Sequence, residues 1–343
     1  MLDMREITAL PGTSGSEHIV CAYIREQLKD APAVASIEVD RIGNCIVKLK
    51  GKKTAPHSVV LAAHMDEVGG IVTGITADGY LRFDTVGGIV PAVLYARRVS
   101  VNGHAGVIGG KAMHQCSEKE RNTVPSIADM RIDIGADTKE EAEAIVKLGD
   151  EIVFVSDYTE FGSGRFKAKA LDDRAGCAML LELAKTQPEY DVIIAFTTQE
   201  EVGLRGASVA GNTLQCEYSV VVDATTAADT ADVPADKQVC CVGAGPVVSF
   251  MDRRTVYDKT MYTHIRRLAQ ENDIPAQTKT MVAGGNDAGS FQVAGIGSRV
   301  AAVSLPCRYI HSPSCVLAHE DVDNTLKLLS ILMNTLPAWD GTV

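Results

Sequence analysis

A chain of 343 residues is longer than one typical domain and suits two, and 46% hydrophobic with 22% charged residues is ordinary globular composition with a sizeable core. The formal net charge of −11 disfavours a nucleic-acid partner, which needs a basic face. No apolar stretch approaches the roughly 20 residues that span a bilayer. The opening MLDMREITALPGTSGSE has no basic segment followed by an apolar run, so the expectation is a cytoplasmic protein with no membrane partner. Nine cysteines without CxxC pairs read as reduced thiols.

Taken in chain order, Ser14 and Glu17 are spaced as a capping box before a helix over HIVCAYIREQLKD. SIEVD and NCIVKLK read as strands. SVVLAAH, residues 58–64, is a continuous apolar run that suits a strand buried on both faces. From about residue 68 to 165 the character changes to short β pieces punctuated by Asp78-Gly79 and Asn102-Gly103, the latter a hairpin signal. One short helix fits there, TKEEAEAIVKLG, with Asp137 as its cap. After residue 165 strands and helices alternate: DDRAGCAMLLELAKT as helix, VIIAFTTQ and YSVVVD as strands, DKTMYTHIRRLAQEN as helix, SRVAAVSL as strand, DVDNTLKLLSILMNTL as helix. The expected fold is α/β, a mostly parallel sheet flanked by helices and formed by residues 1–67 and 166–343, with residues 68–165 inserted as a small β-barrel-like domain.

The acids and histidines fall at strand ends. SVVLAAH ends in His64 with Asp66 two residues on; VIIAFTTQ runs into Glu200 and Glu201; YSVVVD ends in Asp223; SRVAAVSL leads to His311; Asp172 begins the helix after the insertion. In open α/β sheets, sites form outside the carboxyl ends of strands. Imidazoles with carboxylates and no thiolate match zinc, cobalt or manganese. Five such ligands hold two ions if one carboxylate bridges, and Asp172 is the candidate bridge. Asp66 can instead orient the His64 imidazole. Glu200 and Glu201 diverge on an extended segment, so one can bind metal while the other serves as general base.

The strings AAHMDEVGG, ALDDRAG, TTQEEVGLRGA, VVVDAT, GGNDAGS and RYIHSP, in this order, resemble the M42 family of metallo-aminopeptidases. The resemblance implies two divalent ions held by His64, Asp172, Glu201, Asp223 and His311, with Asp172 bridging, Glu200 as general base and Asp66 behind His64. It implies peptide substrates with a free N-terminus. It also implies a homo-oligomer built from dimers through the insertion, up to twelve subunits. KAMH, residues 111–114, departs from the family's KPPH-like string, and Asn286 stands where Thr is usual.

Alternatives stand beside this reading. Glycoside hydrolysis wants two carboxylates facing across a cleft, and a non-catalytic scaffold needs no ligand set. Asp172 could be only an N-cap, and Asp173 reads as structural. His18, His57, His104, His264 and His319 read as structural, with His114 open. The GGNDAG glycines read as a tight turn with Asp287 near a helix start. An acid-preferring pocket would need a basic residue, and the sequence does not say whether Arg205, Arg253, Arg254 or any other supplies it.

Overall fold

The computed structural model describes residues 2–342. Its main body is an eight-stranded sheet in the order Val34–Val39, Cys45–Leu49, Val192–Thr197, Val59–His64, Tyr218–Thr226, Arg299–Cys307, Val247–Val248, Gln277–Thr278. The four strands from Val192–Thr197 to Arg299–Cys307 run parallel, and those joined to either side of them attach antiparallel. Val59–His64 lies inside this parallel block, and successive residues enter opposite cores. Val59, Leu61 and Ala63 pack with helices His18–Leu28, Leu171–Ala184, Lys259–Glu271 and His319–Thr335. Val60 and Ala62 pack with helices Arg205–Leu214 and Ala288–Val293. Helices on both faces leave no polar side to the strand, which is why the run is apolar without alternation.

The inserted segment closes a six-stranded barrel from Gly69–Ile75, Leu81–Val86, Arg131–Asp133, His104–Gly109, Arg98–Val101 and Glu151–Phe154. It has its own core, including Val72, Leu81, Val99, Ile108, Ile132 and Ile152. Asn102 and Gly103 both take positive φ, 47° and 84°, and pair Val101 with His104, the tight turn that Asn-Gly favours. Two further strands, Thr159–Phe161 and Arg165–Ala168, stay outside the barrel. They form a three-stranded sheet with Cys315–Ala318, beyond the His311 loop.

Local corrections follow from longer-range contacts. Ser14 and Glu17 form no capping box: the Ser14 hydroxyl donates to Asp66 Oδ2 at 2.6 Å, and Glu17 accepts the Gln199 amide at 3.0 Å. The barrel helix Lys139–Ile145 is capped by Thr138, which accepts from the Glu141 amide at 3.2 Å, and not by Asp137. The helix Arg205–Leu214 was not expected from its sequence. Among the described residues, no helix is long and apolar enough to cross a membrane.

Candidate metal centre

His64 ends its parallel strand, Asp223 lies inside its own, which runs on to Thr226 and does not end at Asp223 as expected, and the loop after Val192–Thr197 delivers Glu200 and Glu201. Asp172 arrives from the other side. Ala170 is left-handed at φ 53°, and Asp172 and Asp173 have non-helical backbone angles before the helix settles; the peptide bond between them is cis. The Asp172 carboxylate accepts from none of the helix amides and contacts His64 and His311 instead. The capping role falls on Asp173, whose Oδ1 accepts from the Gly176 amide at 3.0 Å. A Cβ at Gly176 would collide with that carboxylate.

Asp172 divides its two oxygens between two imidazoles. Oδ1 lies 3.2 Å from His64 Nε2, and Oδ2 lies 3.4 Å from His311 Nε2. Asp223 Oδ1 is 3.7 Å from His64 Nε2. Glu201 Oε2 is 3.3 Å from His311 Nε2. Two half-sites result, His64 with Asp223 and His311 with Glu201, joined through Asp172. Asp173, read as structural, lies closer in than expected: its carboxylate sits within 4.8 Å of His64 and Asp223 ligand atoms.

Each imidazole has its Nε2 turned to the cluster because Nδ1 is occupied. His64 Nδ1 lies 3.1 Å from the Asp66 carbonyl oxygen, and His311 Nδ1 lies 2.8 Å from the Gly88 carbonyl oxygen. Nδ1–H donating to a carbonyl leaves Nε2 with the lone pair a cation needs. The Asp66 carboxylate is 3.4 Å from His64 Nδ1, but its main partners are elsewhere. It accepts the amides of Glu200 at 3.0 Å and Glu201 at 3.1 Å, as well as the Ser14 hydroxyl. Asp66 therefore fixes the turn that carries both glutamates as well as backing the imidazole.

The electrostatics are those of a crowded acidic cluster. Burial alone would lower the histidines, yet facing carboxylates outweigh it: Asp172 and Asp223 hold His64 well above its usual range, and Asp172 with Glu201 pushes His311 up to about 10. Burial, then Asp172, raises Glu201 to about 8, and burial raises Asp223 to about 6. Burial also lifts Glu200 well above the ordinary carboxylate range. Two buried carboxylate oxygens at the cluster, Glu201 Oε1 and Asp173 Oδ2, have no hydrogen-bond partner. Buried acceptors without donors are costly, and a divalent cation held at the cluster would satisfy Glu201 Oε1. The donor set is imidazole and carboxylate, as zinc, cobalt or manganese prefers.

A cavity of 440 Å³ opens beside the cluster, lined at this end by Asp172, Glu200, Glu201, Asp223 and His311. Both glutamates line this space, and Glu201 also turns to His311; they sit on a turn, with Gln199 at φ 54° and the Glu200 carbonyl accepting from the Gly203 and Leu204 amides, and not on the extended segment expected from sequence. The remaining histidines lie apart. His114 is exposed in a short turn of 3-10 helix on the barrel. His57 pairs with Glu217, His264 stacks on Trp339, and His319 stacks on Phe166. His18 and His104 are exposed. Sequence reasoning missed Gly88, which acts only through its backbone, and Ser14, whose hydroxyl was assigned to a cap.

A parallel-centred α/β sheet with an imidazole–carboxylate cluster at its strand ends defines a metal-dependent hydrolase class. Within that class the chain belongs to the M42 glutamyl aminopeptidase family, whose match covers residues 43–328. It is 36% identical over 330 residues to a putative aminopeptidase of Acetivibrio thermocellus, covering 95% of this chain and 96% of that one. It is 33% identical over 349 residues to lysyl aminopeptidase of Pyrococcus furiosus, covering 99% and 98%. The TET1 peptidase of Pyrococcus horikoshii, described as assembling into a tetrahedron or a large octahedral shell, superposes with a TM-score of 0.86 at 35% identity, covering 97% of this chain and 100% of that one.

Proposed function

We propose that the protein is an aminopeptidase that removes N-terminal residues from peptides using two divalent cations, Zn²⁺, Co²⁺ or Mn²⁺. The observation that carries this is the division of the Asp172 oxygens between the His64 and His311 half-sites. His64 with Asp223 would hold one ion, His311 with Glu201 the other, and Asp172 would bridge. Bound there, the ions supply Lewis acidity toward a peptide carbonyl and a water molecule.

Glu200 is the general base. It takes a proton from the attacking water as the new C–O bond forms, then gives that proton to the nitrogen leaving as the C–N bond breaks. Its raised proton affinity suits a group that must both accept and return a proton near neutral pH. Asp66 holds the Glu200 and Glu201 amides and backs His64, so it positions the cluster. The acids surround two imidazoles and do not face each other across a cleft, which disfavours glycoside hydrolysis.

Residues 1–67 and 166–343 form the catalytic part of this reading, and 68–165 the insertion through which copies dimerise on the way to a larger homo-oligomer. Exposed Met113 and Val124 line one cavity on the inserted segment, together with Ala92 and Tyr95, and this shared apolar lining supports a partner surface there. The protein works in the cytoplasm. The test is a panel of aminoacyl chromogenic substrates with zinc, cobalt and manganese, before and after chelation. Glu200→Gln is expected to abolish turnover with both ions retained by elemental analysis. Near-normal activity in that variant sinks the general-base assignment, and chelator-resistant hydrolysis sinks the metal mechanism.

A further inference from the structure

Thr197 ends the strand that leads to the two glutamates, and the four peptide amides after it lie beyond the sheet. N–H groups withdrawn from a ladder need other partners. All four donate to side-chain oxygens, supplied by three distant residues. The Thr198 amide donates to Asn44 Oδ1 at 3.0 Å, and the Gln199 amide to Glu17 Oε1 at 3.0 Å. The Glu200 and Glu201 amides take the two oxygens of Asp66 at 3.0 and 3.1 Å. Asn44 is fully buried, and its Nδ2 donates to the Gly206 carbonyl at 2.9 Å. One side chain thus ties the start of the turn to its exit, where helix Arg205–Leu214 begins. Asp40 accepts from the same Nδ2 at 2.7 Å and fixes the orientation of the Asn44 amide. Glu17 is 5% exposed and accepts the Gly15 amide at 2.8 Å with the oxygen that holds Gln199. Gln199 is left-handed at φ 54°. A residue with a Cβ adopts that conformation rarely, and keeps it where the surroundings hold it.

We propose that Glu17 and Asn44 are positioning residues for hydrolysis, setting the direction in which Glu200 meets the attacking water and Glu201 meets its cation. This rests on the general-base and ligand roles given to those two glutamates above. Asp66 holds the Glu200 and Glu201 amides, but the backbone angles that lead into them belong to Thr198 and Gln199. A change at Gln199 swings both glutamates together. Without an acceptor at residue 17 the Gln199 amide loses its partner, and the chain there relaxes toward an ordinary negative φ. A misplacement of about 1 Å in a reacting group costs on the order of 100-fold in rate. Neither Glu17 nor Asn44 lines the cavity, so their loss should appear in kcat and leave substrate binding alone. The acceptor oxygen matters here, and not the charge. Glu17 also borders an open groove of 300 Å³ shared with His18, Cys21 and Thr198, so the nitrogen that Glu17→Gln introduces has space on that side.

The experiment is steady-state kinetics on the aminoacyl p-nitroanilide that the wild type turns over fastest, in saturating zinc, cobalt or manganese. Glu17→Met and Asn44→Ala should each lower kcat by about 10- to 100-fold, the scale found for groups that orient metal ligands. KM should stay within about threefold, with metal content equal to wild type. Glu17→Gln keeps the acceptor and should restore kcat to within about threefold. Melting temperatures separate these effects from misfolding. Native-state hydrogen exchange on the wild type adds a check that needs no variant. The amides of residues 198–201 should be protected as strongly as those of strand Val192–Thr197, and fast exchange there overturns the inference. Normal kcat in folded Glu17→Met beside an inactive Glu200→Gln also overturns it, while leaving the general base in place. So does a change confined to KM, or a loss that Glu17→Gln fails to rescue. An active Glu200→Gln overturns the general-base reading and this inference with it.

Discussion

His311 Nδ1 lies 2.8 Å from the carbonyl oxygen of Gly88, so a residue of the inserted segment sets the tautomer of an imidazole in the cluster. His311 itself sits in a left-handed conformation, φ 57°, on the loop after Arg299–Cys307. The insertion and the main body thus both build one half-site.

Removing that imidazole should empty one half-site and spare the other. His311→Ala is expected to bind one cation per chain where two are expected of the wild type, and to lose more than about 100-fold in kcat/KM, since even outlying partners of ligands cost 10–100-fold. Elemental analysis alongside kinetics checks this. Two ions retained at full occupancy would remove His311 from the ligand set.

Asp66→Asn keeps the size of the side chain but replaces one of two acceptor oxygens that hold the Glu200 and Glu201 amides. An amide NH₂ cannot accept from either. We expect kcat to fall by about 10- to 100-fold with KM nearly unchanged and both ions present. A change confined to KM would contradict the positioning role.

Glu67, Lys169 and Arg174 form a buried charged group between the insertion and the main body. Lys169 Nζ is 2.6 Å from Glu67 Oε1, and Arg174 Nη2 is 3.6 Å from the same oxygen. Arg174 also donates to the Met65 and Ile7 carbonyls. Burial lowers the Lys169 ammonium from its usual range, with Glu67 opposing. Glu67→Gln leaves two buried cations short of a counter-charge, and should cost about 3–5 kcal/mol of unfolding free energy. Denaturant titration measures this; a loss under about 1 kcal/mol would mean that water reaches the group.

Asp258 caps helix Lys259–Glu271 and pairs with Arg299. Burial would raise its carboxyl, but Arg299, Thr260 and the Met261 amide prevail and hold it down to about 2, against an ordinary 3.8. A lowered acid stabilises the fold above its unfolded value and loses that contribution as pH falls through the folded one. The melting temperature of wild type should therefore exceed that of Asp258→Asn above about pH 4, with the gap closing toward pH 2. Asn retains the cap, so a gap independent of pH would assign the difference to packing and not to ionisation.

Much of the cluster was legible because strands buried on both faces read as apolar runs, and a charged residue at the end of such a run stands out. His64, Asp223 and the Glu200–Glu201 pair fall in this group. Asp172 and His311 sit outside regular strand ends: Asp172 was marked by its place at a helix start, and His311, separated from its strand by a loop, rested more on the family resemblance. The helix Arg205–Leu214 was hidden by Gly206, Gly211, Ser208 and Asn212, poor helix formers. A Cβ at Gly206 would strike Asn44 and the Thr198 backbone, and one at Gly211 would strike Ala294, so close packing overrides propensity there. Ser14 and Glu17 misled because their side chains serve partners far along the chain, Asp66 and Gln199. Nothing in local sequence marks a hydroxyl as already engaged by a distant acid.

The small sheet of Thr159–Phe161, Arg165–Ala168 and Cys315–Ala318 couples two regions that chain order keeps apart. One of its strands, Arg165–Ala168, runs within a few residues into Asp172; the adjacent strand begins just past His311. With Gly88 bonded to His311 from the barrel side, a displacement of the barrel would act on both Asp172 and His311. Any docking that clamps the barrel in a dimer would thereby also brace the chemistry beneath it.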